Sequence, residues 1–244
     1  PVEALAHAEE AYALAQRRGM RREADQIREL LGVLQNDVSH LAAARFDGES
    51  AEEAFALMAT AERICRMIDT PDGLARALLA RATMHALAGQ APEAVGPAEE
   101  AISLVTDRRL GSLRHQATDL LGRIGGTLCE QSQERASAGQ AAEACELMAL
   151  AERLFALSGQ TERLAGCHAV QAFLLARLGR LDEAVFSVEK AAALGRKGGQ
   201  KELMDGLRSS AGDLEQELDE AAHTAVDEGR LGDALGLVRL GVRC

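Results

Sequence analysis

Six histidines, five cysteines and 38 acidic residues are the side chains in this 244-residue sequence best suited to catalysis or metal binding. The histidines are His7, His40, His85, His115, His168 and His223, and no two are three or four apart. No helical face therefore offers a histidine pair to a metal, which needs three or four converging ligands. His115 with Asp119, and Asp219 with His223, are four apart and share a face, which reads as two solvated surface pairs. The cysteines, Cys65, Cys129, Cys145, Cys167 and Cys244, form no CxxC and are odd in number. They read as small buried apolar side chains in a reducing compartment. Carboxylate pairs such as Glu9-Glu10 and Glu52-Glu53 fall at helix starts or on exposed faces, where they suit the helix dipole better than acid–base chemistry. GxGxxG, GxxxxGK[ST] and GxSxG are all absent. "RRGMRR" (17–22) could be read as a basic patch for nucleic acid, but it spans a helix end and turn and lacks neighbouring aromatics. The expectation is a non-enzymatic chain with no cofactor and no metal.

The elements that carry these residues are helices. The hydrophobic share is 47%, but aromatics are only 2%, with no Trp and one Tyr. Ala and Leu carry that share, and helices favour Ala, Leu, Glu, Arg and Gln whereas strands favour β-branched and aromatic residues. Net charge is −11, which repels phosphate backbones, so neither nucleic acid nor an anionic membrane is expected as a partner. There is no long apolar run to span a bilayer, and no signal-peptide pattern is visible in the given sequence. The Arg- and Ala-rich composition looks bacterial, and a cytoplasmic location is expected. The sequence starts inside a helical pattern and reads as an excerpt of a longer protein.

The strongest signal is a repeat. An acidic residue followed by Ala recurs at Glu3-Ala4, Glu53-Ala54, Glu93-Ala94, Glu143-Ala144, Glu183-Ala184 and Asp233-Ala234. The steps alternate between 50 and 40 residues, a larger period of 90. Small or apolar residues follow at spacings of four and three: Ala4/Ala8/Ala11, Ala54/Met58/Ala61, Ala94/Ala98/Ala101, Ala144/Met148/Ala151, Ala184/Val188/Ala191 and Ala234/Val238/Gly241. Each trio lies on one helical face and admits a close neighbour. Gly48, Gly89, Gly139, Gly179 and Gly229 precede these second helices, and mark the hairpin corners.

The first helices alternate in length. Short ones are expected at about 72–88 and 162–178, long ones at about 21–46, 111–138 and 201–228. Apolar stripes run along the long ones: Ile27, Leu31, Leu34, Val38, Leu41, then Ala117, Leu121, Ile124, Leu128, then Leu207, Ala211, Leu214, Leu218, Ala221. Gly32, Gly122 and Gly212 occupy one aligned position. They mark either close helix contact or a break that splits each long helix.

"LLARATMHALAGQAPEAVGPAEEAISL" (78–104) and "LLARLGRLDEAVFSVEKAAAL" (174–194) resemble tetratricopeptide repeats (TPR), with the family's small residues at Ala82, Ala94, Ala98 and Ala101 and its turn Gly at Gly89. The family period is 34 rather than 40 or 50, and its usual aromatics are replaced here; the longer units resemble the repeats of bacterial regulators. The resemblance implies an all-α fold: a right-handed superhelix of antiparallel helical hairpins, with alternating long and short first helices. It implies one array over 1–244, about five and a half hairpins. By motif position, the first helices would line a concave face with Arg76 and Thr83, Phe173 and Arg177, and, in the long units, Asn36, Ser39, Cys129, Gln133, Gln216 and His223. The position where the carboxylate-gripping members hold Lys reads Ser39, Leu79, Cys129, Ala169 and Asp219, so that grip is not expected.

The expected function is a non-catalytic interaction module that binds a protein or peptide segment on that face. The alternatives are an effector- or peptide-sensing array of a larger bacterial signalling or transcription regulator, and a scaffold for homo-oligomerisation.

Overall fold

The computed structural model describes residues 2–46 and 50–199, with side chains described from Leu5 onward. Nine α-helices and no strand occur among them: α1 (Val2–Arg17), α2 (Arg21–Arg45), α3 (Ala51–Met67), α4 (Pro71–Leu87), α5 (Ala91–Asp107), α6 (Gly111–Ser137), α7 (Ala141–Ser158), α8 (Thr161–Arg177) and α9 (Leu181–Gly198). Gly48, the expected helix at 201–228 with Gly212, Gln216 and His223, the last trio and Cys244 lie outside the described residues.

The chain divides into two compact units, Pro1–Leu120 and Leu121–Cys244, and the division falls inside α6. Within each unit, consecutive helices pack against one another, joined by three-residue turns such as Ala88–Gln90 and Leu178–Arg180. So short a turn forces the two helices to run antiparallel. At these two corners Gly89 and Gly179 take the left-handed backbone, φ 73° and 71°, which reverses the chain without a Cβ clash.

The alternation of lengths holds. α2 has 25 residues and α6 has 27, while α4 and α8 have 17 each. The added residues extend one continuous helix by about 12–15 Å at 1.5 Å per residue. Neither Gly32 nor Gly122 breaks its helix. The two differ in surroundings: nothing approaches Gly32, whereas the Gln160 carboxamide already occupies the place a Cβ at Gly122 would need.

The small-residue trios form the spine of each hairpin. Ala54, Ala61, Ala94, Ala98, Ala101, Ala144, Ala151, Ala184 and Ala191 are completely buried, with Met58, Met148 and Val188 nearly so. Facing helices supply bulk, including Leu78 and Leu79 on α4 and Leu121, Ile124 and Leu128 on α6. Burying each such side chain stabilises the fold by about 1.5–3 kcal/mol.

Two expectations need correction. In α1, Ala11 of the expected trio is exposed and Ala8 only partly buried, and the residues that pack fully on Leu31, Ile64 and Ile68 are Leu5, Tyr12 and Ala15. The larger side chains one position along capture the contact, rotating the helix by one residue. In α2, Leu41 is 42% exposed and Ala42 is buried in its place against the α3 and α4 core. Over 25 residues the 3.6-residue turn drifts from the strict stripe, and a small residue fits the closer approach.

Candidate functional site

In the first unit a groove of about 670 Å³ lies between α2 and α4, above Met58 of α3. Four residues chosen by motif position line it: Asn36 and Ser39 from α2, Arg76 and Thr83 from α4. Gln35, His40, Phe46 and Met84 line it as well, and sequence reasoning passed over these four. The signal for them was helical spacing, because Gln35 and Ser39, and Asn36 and His40, are four apart on the face that turns inward.

The floor is apolar, formed by Ala43, Phe46, Met58, Ala77, Ala80 and Met84. The polar groups stand on the walls. Gln35 Nε2 donates to Ser39 Oγ at 3.0 Å, and Ser39 Oγ donates to the Gln35 carbonyl at 2.9 Å. Thr83 Oγ1 donates to the Leu79 carbonyl at 2.8 Å. Arg76 Nε donates to Asp72 Oδ2 at 2.9 Å on the exposed face of α4. Phe46 of the lining meets Phe55 edge-on at 5.9 Å, and Phe55 stacks on His85 at 4.2 Å. No Asp or Glu is part of the lining, although the chain as a whole carries a net charge of −11.

In the second unit the sequence-chosen residues are placed as two i, i+4 pairs. Phe173, 57% exposed, and Arg177, also exposed, stand on α8. On α6, Gln133 is exposed and Cys129 is half-buried, so Cys129 departs from the expectation of a buried apolar thiol, whereas Cys65, Cys145 and Cys167 follow it. A recess of about 420 Å³ in this unit is lined by other residues, among them Cys145, Gln171, Arg180 and Phe186.

Two buried titratable clusters were also missed. The Glu62 carboxylate on α3 lies 3.1 Å from Arg81 of α4 and 3.9 Å from Arg66, which in turn meets Glu100 of α5 at 2.6 Å. Burial pushes the Glu62 carboxyl up, and the two arginines offset only part of that. His168 on α8 is buried, its Nε2 3.6 Å from Glu152, and burial holds its imidazole below the ordinary value. Neither cluster opens onto the groove. Among the described residues no group of three or more His, Cys, Asp or Glu converges to hold a metal. No described helix is long and apolar enough to cross a membrane.

No protein-family model matches the chain, and no curated protein sequence does either. Solved structures do resemble it. A circular tandem repeat protein with novel repeat topology is 14% identical, with a TM-score of 0.44, over 96% of this chain and 62% of that one. BtubC (BKLC) from P. vanneervenii is 19% identical, with a TM-score of 0.36, over 97% and 90%. A signal transduction ATPase with numerous domains and a tetratricopeptide repeat sensor, from Pyrococcus horikoshii, is 15% identical, with a TM-score of 0.35, over 96% and 37%. This chain thus spans less than two thirds of the first and third. The fold is TPR-like. The likeness is one of helical-hairpin repeats and extends no further.

Proposed function

We propose that this TPR-like chain is a non-catalytic interaction module that holds an extended segment of a protein partner in the α2/α4 groove. The observation that supports this reading is the convergence of Asn36, Ser39, Arg76 and Thr83 on a single apolar-floored groove free of carboxylates. Met58, Met84 and Phe46 give side chains of the partner an adaptable apolar bed. Amide and hydroxyl groups on the walls suit the partner's backbone. Arg76 and His40, in an otherwise acidic chain, favour a segment with an acidic flank. The repeat echo through residue 241 is consistent with one repeat series along the sequence 1–244, with Phe173, Arg177, Cys129 and Gln133 as contact positions of its later units.

Selection of displayed peptides against the purified chain tests this reading. Apolar peptides with an acidic flank are expected to be enriched, and Arg76→Glu is expected to weaken them about tenfold or more, the scale of one interfacial charge contact. Peptides whose binding is indifferent to Arg76→Glu and to Met84→Lys would place the partner elsewhere and end the proposal. A second reading, a small effector in the same groove, is favoured by its volume, which falls within the about 300–1,000 Å³ typical of small-molecule sites. Displacement of a bound peptide by a small molecule would support it.

A further inference from the structure

Three sulfur atoms from three different helices meet in the second unit. Cys129 of α6, half-buried, places its Sγ 3.7 Å from Sγ of the buried Cys167 on α8. The same Cys129 Sγ lies 4.0 Å from Sδ of Met148 on α7, which is 1% exposed. We propose that Cys129, Cys167 and Met148 form a binding site for a soft monovalent metal ion, Cu(I).

The spacing fits such an ion. Metal–sulfur bonds are about 2.3 Å long, and three of them in a trigonal plane separate their sulfurs by about 4 Å. The two separations at Cys129 Sγ, 3.7 and 4.0 Å, match two sides of that triangle. Thiolate and thioether are the ligands that select Cu(I) over harder ions. Zn(II) needs a fourth donor, and no three His, Cys, Asp or Glu converge among the described residues. The neighbouring imidazole, His168, has its Nε2 turned to Glu152 at 3.6 Å.

On loading, two thiols become two thiolates, two protons pass to solvent, and the site carries one net negative charge. Half-exposed Cys129 provides the way in.

The repeat supplies an internal comparison. Ninety residues earlier, the equivalent positions are Ser39, Met58 and Ala77, all of which line the groove of the first unit. The thioether is kept in both copies and the thiols occur in one. The metal site thus shares Cys129 with the contact positions proposed for the later units, and Cu(I) binding is read without any partner present.

The test is anaerobic titration of the reduced full chain with Cu(I), supplied as its acetonitrile complex, against bicinchoninate as competitor. It uses a variant in which Cys65, Cys145 and Cys244 are replaced by Ser, so that only the pair remains. One equivalent is expected. Cys129→Ser and Cys167→Ser should each weaken it by more than the about 100-fold that loss of a group merely supporting a ligand costs. Met148→Leu, which conserves volume, should weaken it about tenfold or more while far-ultraviolet circular dichroism stays unchanged. Ser39→Cys with Ala77→Cys should add a second equivalent. Binding that survives Cys129→Ser, no binding by the three-Ser variant while its helicity is intact, or Zn(II) bound as tightly as Cu(I), would each overturn the proposal.

Discussion

The Glu62 carboxylate is 3.1 Å from the Arg81 guanidinium, with 6% of the Glu62 side chain and 26% of the Arg81 side chain exposed. One carboxylate oxygen, Oε1, and the Arg81 Nε have no hydrogen-bond partner. A buried pair satisfied this incompletely contributes little net stability, yet removing one member strands the other. Arg81→Met is therefore expected to cost about 3 kcal/mol by leaving a buried carboxylate, whereas Glu62→Gln, which removes the charge that burial opposes, costs about 1 kcal/mol. Urea unfolding of the two variants measures the difference.

The same group sets a pH dependence. Because burial raises the Glu62 carboxyl above its ordinary 4.5, the native state holds its proton where the unfolded chain has released it. The stability this gives is complete below 4.5 and is lost as pH rises through the raised native value. In Glu62→Gln that part of the pH profile should be flat, as followed by thermal unfolding at a series of pH values.

His168 acts from the other side. Burial among helices α7 to α9 lowers its imidazole; Glu152 and Gln171 pull the other way, and Lys190 adds to the lowering. The native state therefore carries fewer protons here than the unfolded chain. Its contribution to stability is present above the ordinary 6.5 and is lost as pH falls through the lowered native value. His168→Gln should remove this acid-side loss, and in the unsubstituted protein the NMR titration of His168 should show an imidazole that protonates below pH 6.5.

Much of this molecule was legible in its sequence because the repeat states each choice several times. The trios from Ala54 to Ala191 are buried as their spacing required, since a close-packed helix pair leaves room only for small side chains there. Where the pattern stood alone it misled. At α1 the Ala stripe lost to Leu5 and Tyr12, because apolar area outweighs a match in spacing. Motif position brought Asn36, Ser39, Arg76 and Thr83 to one groove, but Glu62 with Arg81 and His168 with Glu152 stayed hidden. Those pairs are made between helices, and nothing local to either strand of the sequence reports them.

The glycines of the long helices divide by what surrounds them. Nothing lies within 4 Å of a Cβ placed at Gly32, in the interior of α2. Gly32→Ala should stabilise by about 0.5–1 kcal/mol through backbone entropy alone. At Gly125 of α6 a Cβ would stand 2.8 Å from the ring of Phe155, a side chain buried to 2% exposure with the Arg163 guanidinium 5.7 Å from its centroid. That ring has no room to yield, so Gly125→Ala should cost about 1–3 kcal/mol. Opposite shifts in the urea midpoint are the expected result.

Each turn that leads from a second helix to a first holds one residue at positive φ, and two of these are not glycine: Asp69, φ 50°, where Gly159 stands ninety residues later, and Arg109. Gly19 and Gly199 hold φ at 67° and 66°, and the residue at the aligned position between them, Arg109, holds φ at 54°. A non-glycine residue in this region is strained by about 1–2 kcal/mol. Arg109→Gly relieves that strain, and the greater freedom of glycine in the unfolded chain gives back part of the gain. The net expectation is a stabilisation of about 0.5–1 kcal/mol, or a rise of about 1–4 °C in the melting temperature for a chain of this size. Arg109→Ala, which keeps a Cβ and removes the charge, should leave the melting temperature unchanged. A rise in the alanine variant equal to that in the glycine variant would assign the effect to charge rather than to backbone conformation.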